Sequence, residues 1–302
     1  MLDGLTYAGD PARLYESEKF NRARVRILWH DLNSPIMETM VRRIGDDVCA
    51  IVNMASNSHI DNSIADPVPF VKNNVNVALH VLEYARGFWL GHLKHFIQIS
   101  TDEVYGSIEP GGATCPEWAP INPSNPYSAS KAAQESIAIS YWRTYGVPVS
   151  IVNCMNAFGE RQDREKFVPK CVRQISSGEE VIIHGTGDNI GSRHYLHARN
   201  ISDAVLFLLG RPVAGYPEAD RPDRYNVVGE RLDNLAMARK IASILGLPFS
   251  FRLDDCPRSR PGHDLHYGLD GSKLAALGWK APLDLDTSLE RTVKWMRENR
   301  NW

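Results

Sequence analysis

Two short polar segments carry the residue types that acid–base chemistry needs. Thr101, Asp102 and Glu103 follow the apolar run from His95 to Ser100, which is short, rich in isoleucine and typical of a buried strand. Ligands of open parallel sheets bind beyond the carboxyl ends of the strands, where these three side chains are expected. A hydroxyl beside two carboxylic acids could orient a substrate and move protons in either direction. The alternative is a polar loop in which Asp102 only caps the next helix.

Tyr127 and Lys131 form the second segment and are four residues apart. The residues from 127 to 145 contain alanines, few helix breakers and apolar positions near helical spacing, so both side chains are predicted on one helical face. An ammonium beside a phenol favours the phenolate, and a tyrosine that acts as a base near neutral pH needs its pKa lowered by roughly 3 units. The alternative is an ordinary surface pair. Together with a strand-end threonine, however, the pair is more specific than either segment alone.

Thr101, Tyr127 and Lys131 resemble the catalytic triad of the extended short-chain dehydrogenase/reductase superfamily. The string TDEVYG, with its two acids after the threonine, is similar to nucleotide-sugar 4,6-dehydratases, most of all to the dTDP-glucose branch. Simple epimerases of the superfamily lack this acid pair, and GDP-mannose dehydratases usually have serine in place of the aspartate. The resemblance runs from Asp3 to Trp302. It implies an α/β fold, a Rossmann-type doubly wound parallel sheet with a smaller α/β substrate domain.

Composition and charge argue against several other classes of protein. The 302 residues are 43% hydrophobic and 23% charged with a net charge of −2, so no nucleic-acid or membrane surface is indicated. No apolar run approaches the length of a membrane span, and no signal peptide is expected. The five cysteines lack paired spacing, which favours reduced thiols and a cytoplasmic protein. The ten histidines show no metal-ligand spacing, and no metal is predicted.

The opening residues resemble part of a dinucleotide-binding unit. Asp3 is similar to the acid that bonds the adenosine ribose of NAD, the cofactor that the family implies. The glycine-rich turn that should precede it is not found, and the segment from Gly185 to Gly191 has the wrong spacing and is predicted to be a turn. Either the natural start lies roughly 30 residues earlier, the length of a βα unit with its strand, or the chain is a degenerate or truncated form; we favour the earlier start. Without that unit, we expect weak NAD binding and poor folding.

The resemblance also assigns domains and binding roles. Residues 1–159 are expected to form the NAD-binding domain with its first βα unit incomplete. Residues 160–302 are expected to form mainly the nucleotide-sugar-binding domain, with some segments returning to the Rossmann sheet. The predicted cofactor contacts are Asp3, Thr6, Asp31, Leu32, Ala55, Ser56, Asn74, Ser100, Tyr127, Lys131 and Asn156. The predicted substrate contacts are Ser58, His59, Thr101, Asn156, Glu165, Lys166, Arg193, Asn234, Arg260 and His263. Asp31 could instead cap a following helix.

Apolar runs and breakers predict the remaining elements. Strands are predicted at Val25–Trp29, Ala50–Met54, Val149–Cys154, Val181–His184 and Tyr225–Val228. Helices are predicted at 67–87, at 127–145, at Asn200–Leu209 with the asparagine as its cap, and from the segment Leu232–Leu235 onward. By resemblance, the helices at 67–87 and 127–145 form the interface of a homodimer.

The resemblance implies a reaction on a nucleotide-diphosphate hexose, with dTDP- or UDP-glucose favoured over a guanine nucleotide. Tyr127 takes the proton of the sugar 4-hydroxyl while NAD takes hydride from carbon 4, with Thr101 on the reacting oxygen. Glu103 then removes the carbon 5 proton, and Asp102 protonates the departing 6-hydroxyl. Lys131, together with partial burial and the positive nicotinamide ring, lowers the tyrosine pKa, and the lysine also holds the nicotinamide ribose. The alternatives are a nucleotide-sugar epimerase or decarboxylase of the same fold, and a non-catalytic binding module.

Overall fold

The computed structural model describes residues 1–6, 9–89, 91–255 and 262–299. The helices are α1 Ala12–Tyr15, α2 Glu38–Ile44, α3 Ile60–Ala65, α4 Pro67–Tyr84, α5 Pro126–Tyr145, α6 Phe167–Ser176, α7 Ala198–Leu209, α8 Asn234–Leu245, α9 Ser272–Ala276 and α10 Leu285–Glu298. The strands are β1 Leu2–Asp3, β2 Leu28–Trp29, β3 Ala50–Asn53, β4 His95–Thr101, β5 Val149–Cys154, β6 Ala157–Phe158, β7 Val181–Thr186, β8 Asn189–Ile190, β9 Ser192–His197, β10 Asp223–Val227, β11 Glu230–Asp233 and β12 Phe251–Asp254.

A four-stranded sheet with the order β10-β5-β4-β3 contains the strand that leads to the acid pair. All seven residues of β4 are buried, as expected of an apolar strand covered on both faces in a parallel sheet. β3 and β4 are parallel, with Ala50 opposite His95. β1 and β2 form a separate parallel pair, with Leu2 opposite Leu28. The alternation of these strands with helices is the α/β, Rossmann-like architecture that the sequence predicts.

The chain divides into two compact units, each built from three stretches of sequence. The first unit consists of Met1–Ser100, Ala129–Ile151 and Pro212–Asp223. The second unit consists of Thr101–Ser128, Val152–Arg211 and Arg224–Trp302. Each has its own buried apolar cluster, centred in the first on side chains such as Phe96 and Trp142 and in the second on side chains such as Ile183 and Leu289.

Most predicted elements are present, with shifted ends. The strand predicted at Val149–Cys154 has those bounds, and the helix predicted from residue 127 begins at Pro126. The strand predicted at Val25–Trp29 is reduced to its last two residues. The segment from Gly185 to Gly191 contains an antiparallel hairpin of β7 and β8, so its central turn is confirmed. α4 passes into a π-helical turn at Ala85–Trp89 instead of stopping near residue 87.

Two predicted caps are wrong. α7 begins at Ala198 because the ring of His197 accepts a hydrogen bond from Arg199 N at 3.2 Å. Asn200, the predicted cap, instead bonds both backbone groups of Leu283, at 2.8 and 3.1 Å. Asp31 does not cap a helix either, since its Oδ1 accepts from the amide of Asn33, and α2 starts only at Glu38.

The described residues contain neither a membrane-spanning helix nor a metal-binding cluster. None of the described helices is long and apolar enough to cross a bilayer. No group of three or more His, Cys, Asp or Glu side chains in the described ranges is placed to hold a metal ion. No disulfide joins the described cysteines Cys49, Cys115, Cys154 and Cys171.

Candidate active site

Thr101 organises the backbone that presents the acid pair in the second unit. β4 ends at this residue, and a 3₁₀ helix, Asp102–Tyr105, follows at once. Thr101 Oγ1 accepts from Glu103 N at 3.3 Å and donates to Asp102 Oδ1 at 2.9 Å. Its carbonyl oxygen accepts from Asn153 Nδ2 at 3.0 Å. The threonine, not Asp102, is therefore the cap, and the alternative reading of Asp102 as a helix cap is wrong.

The two carboxyl groups both have pKa values above their usual range. Asp102 is 4% exposed, and its Oδ2 has no hydrogen-bond partner among the described residues. Burial raises the pKa of Asp102 to about 6. Burial, and next the charge of Asp102, raise the pKa of Glu103 to about 7. Near neutral pH the pair can therefore offer one proton donor and one proton acceptor side by side.

Glu103 is held by two side chains that the sequence analysis did not select. Asn125 Nδ2 donates to Glu103 Oε2 at 3.5 Å, and the Tyr267 hydroxyl donates to the same oxygen at 3.4 Å. Asn125 is fixed at the start of α5 because its Oδ1 accepts from Ser128 N at 2.9 Å. Both bonds to the carboxylate are long, so Glu103 is oriented without being locked by a short bond.

Tyr127 lies in the first turn of α5, is 9% exposed and is hydrogen-bonded to Thr101. Burial, and next the charge of Glu103, raise the pKa of its phenol well above the usual value near 10. The side chains of this protein alone thus raise the phenol pKa, and the predicted lowering, which also counts on the positive nicotinamide ring of NAD, stays a prediction. The contact with Thr101, however, joins the predicted base to the predicted orienting hydroxyl.

Arg193 places a buried positive charge near the acid pair. Its guanidinium donates to the carbonyl oxygens of Ser192 and Asp264, at 2.8 and 2.7 Å, and also to that of Leu265. The guanidinium carbon lies 4.5 Å from the ring centroid of Tyr267. Its charge partly offsets the rise in both carboxyl pKa values. The backbone thus fixes the arginine in place before any ligand contact.

The other predicted substrate residues of the second unit lie at the ends of elements. Asn234 is the first residue of α8, and its Oδ1 accepts from the Tyr195 hydroxyl at 2.7 Å. Lys166 immediately precedes α6, and Glu165 before it is exposed. His263 is half-buried, and Asn156, after β5, is exposed. Arg260 lies outside the described residues.

Lys131 and Asn74 occupy a buried polar network in the first unit. Lys131 Nζ donates to Ile99 O at 2.7 Å and to Gln134 Oε1 at 2.6 Å. Asn74 is fully buried; its Oδ1 accepts from the amide of Asn57 at 2.7 Å, and its Nδ2 donates to Ser130 Oγ at 2.8 Å. The lysine and the asparagine that the sequence assigns to the cofactor are thus both rigidly placed by short bonds.

The remaining predicted cofactor residues of the first unit range from buried to exposed. Asp3 ends β1, and its Oδ1 accepts from Leu5 N at 2.8 Å. Leu32 is buried, and its carbonyl oxygen lies 3.0 Å from His80 Nδ1. Thr6 and Asp31 are exposed, Ala55 and Ser56 are half-buried, and Ser100 is buried.

Of the two residues expected to face the sugar, His59 caps α3 by accepting from Asn62 N at 3.4 Å. Ser58 beside it is exposed. The cap fixes the histidine ring at the start of the helix, and the sugar contacts of both residues stay predictions.

Comparison with known proteins agrees with the family resemblance that was inferred from Thr101, the acid pair, Tyr127 and Lys131. The family model described as GDP-mannose 4,6 dehydratase matches residues 2–292. The chain belongs to this family. It is therefore a member of the extended short-chain dehydrogenase/reductase superfamily of NAD-dependent epimerases and dehydratases.

Several relatives of the family are similar over the full chain. A probable dTDP-glucose 4,6-dehydratase of Sinorhizobium fredii is 35% identical, over 100% of this chain and 86% of the relative. The dTDP-glucose 4,6-dehydratase of Mycobacterium tuberculosis is also 35% identical, with the same coverage. A solved dTDP-glucose 4,6-dehydratase from Streptomyces venezuelae, crystallised with NAD, is 34% identical with a TM-score of 0.84, covering 100% of this chain and 88% of that one.

Proposed function

We propose that this protein is an NAD-dependent nucleotide-sugar 4,6-dehydratase, a hydro-lyase that forms a 4-keto-6-deoxy sugar. The observation that carries the proposal is the adjacent pair Asp102 and Glu103, whose carboxyl pKa values are both raised toward neutrality. Elimination of water needs a base for one proton and an acid for the leaving hydroxyl at the same time. A pair that holds one proton near neutral pH meets both needs.

The chain's own residues account for the proton movements. Tyr127 takes the proton from the sugar 4-hydroxyl, while the Thr101 hydroxyl hydrogen-bonds the reacting oxygen. Glu103 then removes the proton from carbon 5, which the new 4-ketone has made acidic. Asp102, whose Oδ2 has no partner among the described residues, delivers a proton to the departing 6-hydroxyl. NAD, when bound, supplies the chemistry of hydride acceptance from carbon 4 and hydride return to carbon 6.

Features of the first unit fit NAD. Asp3 lies at the carboxyl end of β1 with only its Oδ1 bonded to a described residue, at Leu5 N, so the carboxylate can accept from ribose hydroxyls. Lys131 is positioned by two acceptors and suits the nicotinamide ribose. A cation at this position would also favour the phenolate of Tyr127, four residues earlier on α5. The solved relative from Streptomyces venezuelae has NAD in its crystal.

A nucleotide-diphosphate hexose, dTDP-glucose first and UDP-glucose second, is the proposed substrate. Arg193 and Asn234 are assigned to the diphosphate, and a forked guanidinium suits that group. The named relatives from Sinorhizobium and Mycobacterium act on dTDP-glucose according to their names, and a plant relative 32% identical to this chain includes a UDP-glucose 4,6-dehydratase among its activities. The acid after Thr101 also differs from the serine usual in GDP-mannose dehydratases.

Incubation of the protein with NAD and a panel of dTDP-, UDP-, CDP- and GDP-hexoses tests this assignment. In deuterated water, the expected product has lost one molecule of water and carries solvent deuterium at carbon 5, because carbon 6 receives the hydride that left carbon 4. Mass spectrometry and NMR read both changes. A preference for GDP-mannose would contradict the substrate. A product of unchanged mass would instead indicate an epimerase, and loss of carbon dioxide would indicate a decarboxylase.

We propose that the protein forms a homodimer and that it resides in the cytoplasm. α4 presents the exposed side chains Val68 and Leu79, and Tyr145 at the end of α5 is 42% exposed. Such apolar surface on the two helices assigned to the dimer would be covered in an assembly. The lack of a disulfide among the described cysteines fits a reducing compartment. Sedimentation of the purified protein tests the dimer, and a Leu79→Arg variant should shift it toward monomer.

A further inference from the structure

Three buried side-chain amides cross the first unit from one strand to the next and on to a helix. Asn53 in β3, Gln98 in β4 and Gln134 in α5 are 3%, 0% and 0% exposed. Burial of an amide costs free energy unless its hydrogen bonds are made inside the protein. A row of three such groups in a predominantly apolar sheet is expected to have a purpose beyond packing.

The bonds fix the direction of every amide in the row. Asn53 Nδ2 donates to Gln98 Oε1 at 2.9 Å, and Gln98 Nε2 donates to Gln134 Oε1 at 3.3 Å. Gln134 Nε2 donates to the carbonyl oxygen of Asn74 at 2.7 Å. A carbonyl oxygen can only accept, so the nitrogen of Gln134 must face it. The amide oxygen is therefore forced toward the other side, where Lys131 lies.

Lys131 is the charged end of this row. Its Nζ donates to Gln134 Oε1 at 2.6 Å, the short distance expected of a charge-assisted bond, and to Ile99 O at 2.7 Å. Both acceptors are neutral, so they hold the ammonium in one place without adding a counter-charge. The two residues are three apart on α5, which puts them on adjacent positions of one helical face.

We propose that Gln134 is a positioning residue for Lys131, held in register by Gln98 and Asn74, and that it fixes the ammonium for the lysine's role in the reaction. This inference rests on the proposed function for its catalytic consequence. A carboxylate at position 134 would hold the ammonium too, but it would place a negative charge beside it. An apolar side chain would leave the lysine with fewer fixed acceptors.

The test compares Gln134→Met, an isosteric change that removes the acceptor, with Gln174→Met as a matched control. Gln174 is also a buried glutamine, and its Nε2 donates to the backbone carbonyl oxygen of Glu180, but it belongs to the second unit. Proton–nitrogen NMR of protein labelled at lysine Nζ reads the Lys131 ammonium directly, with Lys131→Met for assignment. We expect its signal to shift or vanish in Gln134→Met and to persist in Gln174→Met.

Turnover supplies the second readout. We expect Gln134→Met to lower kcat roughly 10- to 100-fold, the effect of a lost bond to a charged group, with substrate KM and thermal midpoint close to those of the control. If Gln134→Met does not fold, Gln134→Asn, which keeps the amide but is too short to reach both partners, takes its place. An unchanged Lys131 signal, or unchanged kcat with a changed signal, would overturn the proposal. If the wild-type protein has no dehydratase activity, the proposed function fails and the NMR result still decides whether Gln134 positions the lysine.

Discussion

Thr101 donates its hydroxyl hydrogen to Asp102 Oδ1 at 2.9 Å, which leaves Asp102 Oδ2 as the carboxyl oxygen without a partner among the described residues. A buried carboxyl oxygen without a hydrogen bond is costly as an anion and much less costly when it carries a proton. Burial of this oxygen contributes to the rise of the Asp102 carboxyl pKa to about 6. The carboxyl pKa of Glu103, next along the chain, is raised as well, to about 7, so the two groups titrate together. Their separate roles, Glu103 as base and Asp102 as acid, belong to the proposed reaction.

Glu103→Gln should permit sugar oxidation but block elimination, because an amide cannot take the carbon 5 proton. Mixing the variant with NAD and substrate should produce a stalled absorbance of reduced nicotinamide without release of water from the sugar. Glu109→Gln, the same change at an exposed carboxylate, is the control and should turn over normally. Normal turnover by Glu103→Gln would show that Glu103 is not the base.

Tyr127→Phe keeps the ring in its buried site and removes the hydroxyl that bonds Thr101. Loss of a general base typically lowers the rate roughly 10²- to 10⁴-fold. We expect that loss in kcat, with little change in substrate affinity measured by calorimetry. Tyr145→Phe, at the exposed end of the same helix, should match the wild type. Wild-type rates in Tyr127→Phe would mean that the tyrosine only packs.

The acid pair should also make the folded state less stable as pH rises. A carboxyl group whose pKa is higher in the folded state binds its proton more tightly there, so stability falls as pH rises between the unfolded and folded values. For Asp102 and Glu103 this window runs from about 4 to about 7. Asp102→Asn cannot ionise, and at pH 8 it should gain on the order of 1–3 kcal/mol in the free energy of unfolding.

Urea denaturation at pH 8 and pH 4.5 checks this expectation. The gain of Asp102→Asn over the wild type should shrink at the lower pH, where the wild-type carboxyl groups are protonated in the folded state. Asp220→Asn, at an exposed position, should show no such difference. A variant that is less stable than the wild type at pH 8 would contradict a raised pKa for Asp102.

The sequence was sufficient for the elements that carry the predicted catalytic residues. β4 is an apolar run that ends at polar residues, and α5 follows a proline and has helical spacing, so local pattern alone located both. Gln134 was within reach of the same reasoning, because a residue three positions after Lys131 shares its helical face. The spacing was visible, but the partner that fixes the amide direction, Asn74 O, lies 60 residues away.

The electrostatics of the site could not be read from local sequence. Tyr267 bonds Glu103 across 164 residues, and no periodicity connects the two. The pKa of Tyr127 depends mainly on burial and on Glu103, which the fold brings near it. Sequence reasoning combined the lysine on the same helix with partial burial and a positive nicotinamide ring, and it did not include the charge of Glu103. Long-range burial and charge, rather than helix spacing, decide the ionisation of these side chains.

His95 should make the folded state less stable as pH falls, whereas the acid pair should make it less stable as pH rises. It begins β4, is 2% exposed, and its Nε2 lies 2.9 Å from Ser150 Oγ. Burial lowers the pKa of its ring to about 4, against a small opposing effect of Asp223. As pH falls below about 6.5, His95 becomes protonated in the unfolded chain, whereas in the folded chain its ring stays neutral until about pH 4. The free energy of unfolding therefore falls across this pH window.

His95→Gln keeps a polar group that can bond Ser150 but cannot titrate. Between pH 7 and pH 4.5 the wild type should therefore lose on the order of 1–3 kcal/mol more unfolding free energy than this variant. Comparison of the two proteins cancels the contribution of the acid pair, which both share. His92→Gln, at an exposed position, is the matched control and should follow the wild type. Parallel curves for wild type and His95→Gln would show that this histidine is not the acid-sensitive group, and the loss would then have to come from other side chains.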